Sequence, residues 1–117
     1  MLREIVQGSI FYLILLAFSW EFHWTGGIIG SALVLGAHFL NGLIVYINDD
    51  RMPSRLGEKK WCIKIDSSTK WAFLGDVIPI RTHNGRSGYM SVGDIFGFAG
   101  IATMAISALA KIYRCFF

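Results

Sequence analysis

The chain has 117 residues, of which 54% are hydrophobic and only 16% charged, and its formal net charge is +3. Soluble domains carry about 25% charged residues. The composition excludes a disordered segment, which needs low hydrophobicity and dense charge. An excess of +3 is also too small for a nucleic-acid binder, and no nucleic-acid partner is expected.

The first apolar run, Ile5 to Trp20, contains no charged residue. Its sixteen residues rise about 24 Å as a helix, short of the ~30 Å hydrocarbon core. Trp20, Phe22 and Trp24 extend it into the membrane interface, where aromatic rings are favoured. A first span is therefore expected at about residues 5–24. Arg3 gives this run the basic start of a signal peptide, but SWEFHWTGG offers no small-x-small cleavage site. The run is read as a retained anchor.

The second run, residues 26–47, has 22 residues without a formal charge, enough to cross a bilayer. The third, residues 92–113, is equally long, with Asp94 at its start and Lys111 near its end. A chain this short cannot hide three apolar helices from water. The expected fold class is thus an all-α integral membrane protein with three transmembrane helices. Residues 1–117 form one membrane domain, and its lipid partner is the bilayer itself.

Between the second and third runs lies the loop, residues 48–91. Eight of the eleven Lys and Arg residues fall there: Arg51, Arg55, Lys59, Lys60, Lys64, Lys70, Arg81 and Arg86. The connection from Glu21 to Thr25 has none. The positive-inside rule places residues 48–90 and the N-terminus in the cytoplasm of a multi-pass cell-membrane (inner or plasma membrane) protein. Within the loop, Asp66, Ser67 or Ser68 is expected to cap a short interfacial helix over residues 69–74, stopped by Gly75. Val77 to Ile80 is too short to cross, and is expected in the interface or against the mouth of the bundle.

Polar residues inside apolar runs stand out. Asp94 has two readings: a cap on the first turn of the third helix, with Arg51 or Arg81 as ion partner, or a proton or ion site. Asp76 is expected to fix the loop by accepting backbone hydrogen bonds. His38 and Asn41 lie three apart on the second helix, a spacing that suits interhelical hydrogen bonding. Small residues mark helix contacts: Gly26, Gly30 and Gly36 on the second helix, and Gly93 and Gly97 on the third, followed by Ala99, Thr103 and Ser107. The two cysteines, Cys62 and Cys115, fall on opposite sides of this topology. No metal motif, cofactor-binding motif or redox pair is present, and no cofactor is expected.

The order Asn41-Gly42, Arg51-Met52-Pro53, Thr69, Phe73 to Pro79, then Ser91-x-Gly93-Asp94 opening an apolar helix resembles an uncharacterised bacterial family of small polytopic membrane proteins. The similarity covers roughly residues 40–105. It implies fold and location, and no activity; members of that family are longer at the N-terminus. A fainter likeness is to signal peptidase II, a membrane aspartic protease, through Asn41, Asp50-Arg51, Gly75-Asp76-Val77-Ile78 and Ser91-Val92-Gly93-Asp94. Ser91 stands where that enzyme has Asn, and Gly93 where it has Ala. The likeness implies acid/base chemistry on Asp50, Asp76 and Asp94, with Asp50 and Asp94 on one face of the membrane and able to meet and share a proton. The reading drawn from size and small-residue faces is different: a non-enzymatic subunit or scaffold of a larger membrane complex, with other membrane proteins as partners.

Overall fold

The computed structural model describes residues 1–81, 83–85 and 87–117. Three long helices dominate it: α1 (Leu2–Glu21), α2 (Thr25–Ile47) and α3 (Val92–Phe116). All three are long and apolar enough to cross a membrane. Large apolar side chains cover their outer faces, Ile10, Ile14 and Phe18 on α1 and Ile106, Leu109 and Ile112 on α3 all being exposed. Water would penalise so large an apolar surface; lipid does not.

The helices run up, down and up, so that the start of α1, the end of α2 and the start of α3 meet the loop at one end. A tight turn joins α1 to α2. His23 adopts the left-handed conformation (φ 53°). The Trp24 N–H then bonds the Ser19 carbonyl at 2.8 Å, and the His23 N–H bonds the Trp20 carbonyl at 3.1 Å. This is a Schellman closure, and it satisfies carbonyls that the helix end leaves free.

α2 is the central helix. It packs on both α1 and α3, which do not pack extensively on one another. Along the α2–α3 seam, a Cβ on Gly30 would lie 2.6 Å from the Gly100 carbonyl oxygen, and one on Gly100 would lie 2.5 Å from that of Gly30. Backbones touch there because neither residue has a side chain. Gly26 faces Ser107, and Gly93 faces Asn41 and Ala37. The contact line on α3 therefore runs through Gly93, Gly97, Gly100, Met104 and Ser107. The expected Ala99–Thr103–Ser107 stripe is corrected in this respect: Ala99 is exposed, and Thr103 spends its hydroxyl on the Ala99 carbonyl at 2.7 Å. Steps of four residues drift about 40° around a 3.6-residue helix, whereas alternating steps of four and three hold one face. Gly36 is likewise no contact residue, since nothing lies within 4 Å of a Cβ built there.

The loop differs most from expectation. It holds four short strands: β1 (Met52–Ser54), β2 (Cys62–Lys64), β3 (Ile78–Arg81) and β4 (Ser87–Met90). β1 and β2 pair in parallel, with Met52 opposite Cys62, and β3 and β4 form an antiparallel hairpin, with Ile78 opposite Met90. Pro53 biases Met52 towards extended backbone, and all three β1 residues are buried. Met52 joins Ile44 and Val45 in a small core packed by Leu2, Ile5, Ile47 and Leu74.

The interfacial helix expected over residues 69–74 shrinks to one 3-10 turn, Ala72–Leu74. Two observations explain this. Trp71 is left-handed (φ 50°), which breaks a right-handed helix. The buried Asn48 side chain also engages Lys70, accepting from its N–H at 3.2 Å and donating to its carbonyl at 3.0 Å. The same amide donates to the Ile44 carbonyl at 2.9 Å. Asn48 thus ties the loop to the last turn of α2. Asp66 forms a local turn, with its Oδ1 accepting from the Ser68 N–H at 2.8 Å.

Candidate functional site

α3 opens with a capping box. The Ser91 hydroxyl accepts from the Asp94 N–H at 3.1 Å, and the Asp94 carboxylate accepts from the Ser91 N–H at 3.0 Å. Each residue thereby satisfies a donor that the helix start leaves unpaired. Across the seam, the Asn41 amide donates to Asp94 Oδ1 at 3.1 Å, while the Ser91 hydroxyl donates to Asn41 Oδ1 at 2.9 Å. Three polar side chains thus form one closed network between α2 and α3, and Gly93 leaves room for Asn41 beside it.

His38 turns the other way. Its Nδ1 lies 3.1 Å from the Ser9 hydroxyl on α1, and its ring stands edge-on to Tyr12 at 5.6 Å. His38 and Asn41 therefore reach different helices from the middle of α2.

Asp76 is fixed through its backbone. Its N–H bonds the Pro53 carbonyl at 2.8 Å, and its carbonyl accepts from the Arg55 N–H at 3.2 Å. The expectation that its carboxylate accepts backbone hydrogen bonds is corrected, because among the described residues that carboxylate has no donor. Burial pushes its pKa up to about 6, and the Asp94 charge adds to the rise.

These groups share a cavity of about 340 Å³ between α1 and α3, floored by α2. Ile5 and Tyr12 form one wall, Gly97, Phe98 and Ile101 the other, and Val34, Ala37, His38 and Asn41 the floor. Asp76, Asp94 and Met52 stand at the loop end together with Met1, whose ammonium pairs with Glu4 and Asp50 and not with either of these carboxylates. The cavity is apolar along its length and acidic at its mouth.

Asp50 is not part of this cavity. Its carboxylate accepts the Leu2 N–H at 2.7 Å, which caps α1 and holds its pKa below the usual range. Nor do the expected cation partners meet Asp94: Arg51 pairs with Glu58 at 3.3 Å, and Arg81 is exposed at the end of β3. Geometry explains the difference. Arg51 is taken up by Glu58 within the loop, so its guanidinium is not turned toward the cavity. Among the described residues, no three His, Cys, Asp or Glu side chains converge as a metal site requires.

The sequence reading missed Asn48. Only its place after the last apolar residue of α2, where a helix end needs partners, could have singled it out. Comparisons with protein-family models, with curated proteins and with solved structures give no match to this chain.

Proposed function

We propose that this chain is a three-span protein of the cell membrane, with its N-terminus and residues 48–90 in the cytoplasm, and that it acts as a non-enzymatic subunit or scaffold of a larger membrane complex. The observation that carries the reading is the open cleft between α1 and α3. Its two walls are apolar over most of their length, Ile5 and Tyr12 on α1 facing Phe98 and Ile101 on α3, and the last two are exposed. An apolar segment of a second membrane protein fills such a cleft without exposing backbone polar groups to lipid. The concentration of Lys and Arg in the loop supports the orientation. The resemblance to a family of small polytopic membrane proteins supports the location.

Site-specific photo-crosslinking in cells tests this. A photoreactive residue at Ile101, which is exposed and faces the cleft, is expected to capture one discrete membrane protein. The same residue at Ile106, on the outer face, is expected to label lipid alone. Equal labelling from both positions would count against the reading.

A second reading is favoured by one observation, the presence of Asp76 and Asp94 in the same cavity. Aspartic chemistry needs one carboxylate to take a proton from water while the other, protonated, supplies one. A carboxyl whose pKa is pushed up to about 6 beside a second carboxylate suits that division. The catalytic pair would be Asp76 with Asp94, since Asp50 is engaged at the start of α1. The substrate would be a peptide bond presented at the membrane surface.

A further inference from the structure

The acidic mouth of the cleft says what kind of helix belongs there. Asp76 and Asp94 line it together, and no described cation pairs with either. Among the described residues Asp94 has one donor on each oxygen, leaving further lone pairs open, and the Asp76 carboxylate has no donor. Two neighbouring carboxylates without a cation repel one another and are poorly solvated. An occupant that brought only apolar surface would bury them further and raise that cost. One bringing a positive charge would remove it. Resting on the docking reading above, we propose that the cleft receives a membrane helix carrying a lysine or arginine near its loop-side end, with the cation seated between Asp76 and Asp94.

The chemistry of membrane helices makes such an occupant common. Helix ends on the cytoplasmic side are enriched in Lys and Arg, and their long stems reach from an apolar groove to a polar mouth. Asp94 sits in the first turn of α3 and Asp76 in the loop beside it, so the seat lies where a terminal cation arrives. The walls below, Tyr12 on one side and Phe98 and Ile101 on the other, meet the apolar stem and flank of the helix.

Binding of synthetic helices to the full-length protein in phosphatidylcholine bicelles tests the seat. The probes are a leucine–alanine helix of about 20 residues with one lysine near its end, and the same helix with glutamine there. At pH 7.5 the lysine helix is expected to bind wild type about tenfold more tightly than the glutamine helix. Asp76→Asn should abolish that preference. This variant keeps the fold, because Asp76 is held by its backbone N–H and carbonyl.

Equal binding of the two helices to wild type would overturn the cation seat and leave the docking reading standing. So would a lysine preference that survives in Asp76→Asn. Saturable binding of neither helix would overturn the docking reading, and the seat with it. A dimer of the protein that excludes both helices would assign the cleft to a second copy and likewise overturn the seat.

Discussion

Asn41 of α2 and Asp94 of α3 are joined by an amide-to-carboxylate hydrogen bond of 3.1 Å, and Ser91 closes the ring by donating to the same Asn41 at 2.9 Å. The ring explains how an ionisable residue is kept in the first turn of a helix long and apolar enough to cross a membrane. A charge near the edge of the hydrocarbon costs least when fixed dipoles face it. Here those dipoles come from one side-chain amide and one backbone N–H. The same ring sets the register of α2 against α3, since sliding either helix by a turn would leave its members unpaired.

Packing along that seam gives the first prediction. Gly30→Ala or Gly100→Ala forces a methyl group against the opposite carbonyl, and each should destabilise the protein by about 1–3 kcal/mol. Gly36→Ala should be neutral or stabilising, by up to about 1 kcal/mol, because open space surrounds it and alanine is the better helix former. Thermal unfolding in detergent checks both. Similar midpoints for all three variants would refute this placement of the seam.

A second prediction concerns the tie between helix and loop. Asn48→Ala leaves the Lys70 N–H, the Lys70 carbonyl and the Ile44 carbonyl without their partner. The expected loss is about 1–3 kcal/mol, with the Lys70 amide becoming faster to exchange with deuterium. Unchanged exchange at Lys70 would show that the loop is held by other means.

These features differ in how far the sequence reveals them. Three apolar runs announce three helices, because a span is a local property of some 20 consecutive residues. Asn41 and Asp94 are conspicuous for being polar within such runs. The strands of the loop are not legible. Each is three or four residues long, too short for an alternating pattern, and β1 needs β2 eight residues further on to pair at all. The Asn48–Lys70 contact joins residues 22 apart and leaves no local trace. Gly100 was hidden for another reason: a strict four-residue spacing points to Ala99 and Thr103, one position to the side. The resemblance pairs Asp94 with Asp50 instead of Asp76, and nothing in the eighteen-residue separation of Asp76 and Asp94 predicts their approach.

The third prediction is a pH dependence. Asp76 has its pKa raised from 3.8 to about 6 in the folded protein. A raised acid keeps its proton longer when folded than when unfolded, so between pH about 4 and 6 the folded state holds more protons. Stability from this group therefore falls as pH rises through that window and stays reduced above it. Asp76→Asn removes the effect. The difference in unfolding midpoint, variant minus wild type, should grow from pH 4 to pH 6 and then level off. A difference independent of pH would mean that Asp76 does not titrate in this range.

The last prediction exchanges the two residues of the ring and separates a structural Asp94 from a chemical one. Asp94 accepts from two donors on two different oxygens, Asn41 on Oδ1 and the Ser91 N–H on Oδ2. An asparagine there has only one acceptor oxygen, so Asp94→Asn sets one NH₂ group against another and should cost about 0.5–2 kcal/mol. Asn41→Asp alone places a second carboxylate against Asp94 and should cost more. In the double variant, Asn41→Asp with Asp94→Asn, the new amide donates to the new carboxylate. That carboxylate still accepts the Ser91 hydroxyl, and the asparagine oxygen still accepts the Ser91 N–H. Every partner is restored, and the double variant should regain most of the stability lost by either single change, a coupling readable from a double-mutant cycle. If Asp94 serves only the ring, cellular function should return together with stability. An acid or base, in contrast, must stand at a fixed point beside Asp76, and moving the carboxylate to α2 displaces it. A double variant that folds and accumulates like wild type yet has lost all function would therefore exclude the purely structural role. It would assign acid/base chemistry to Asp76 and Asp94.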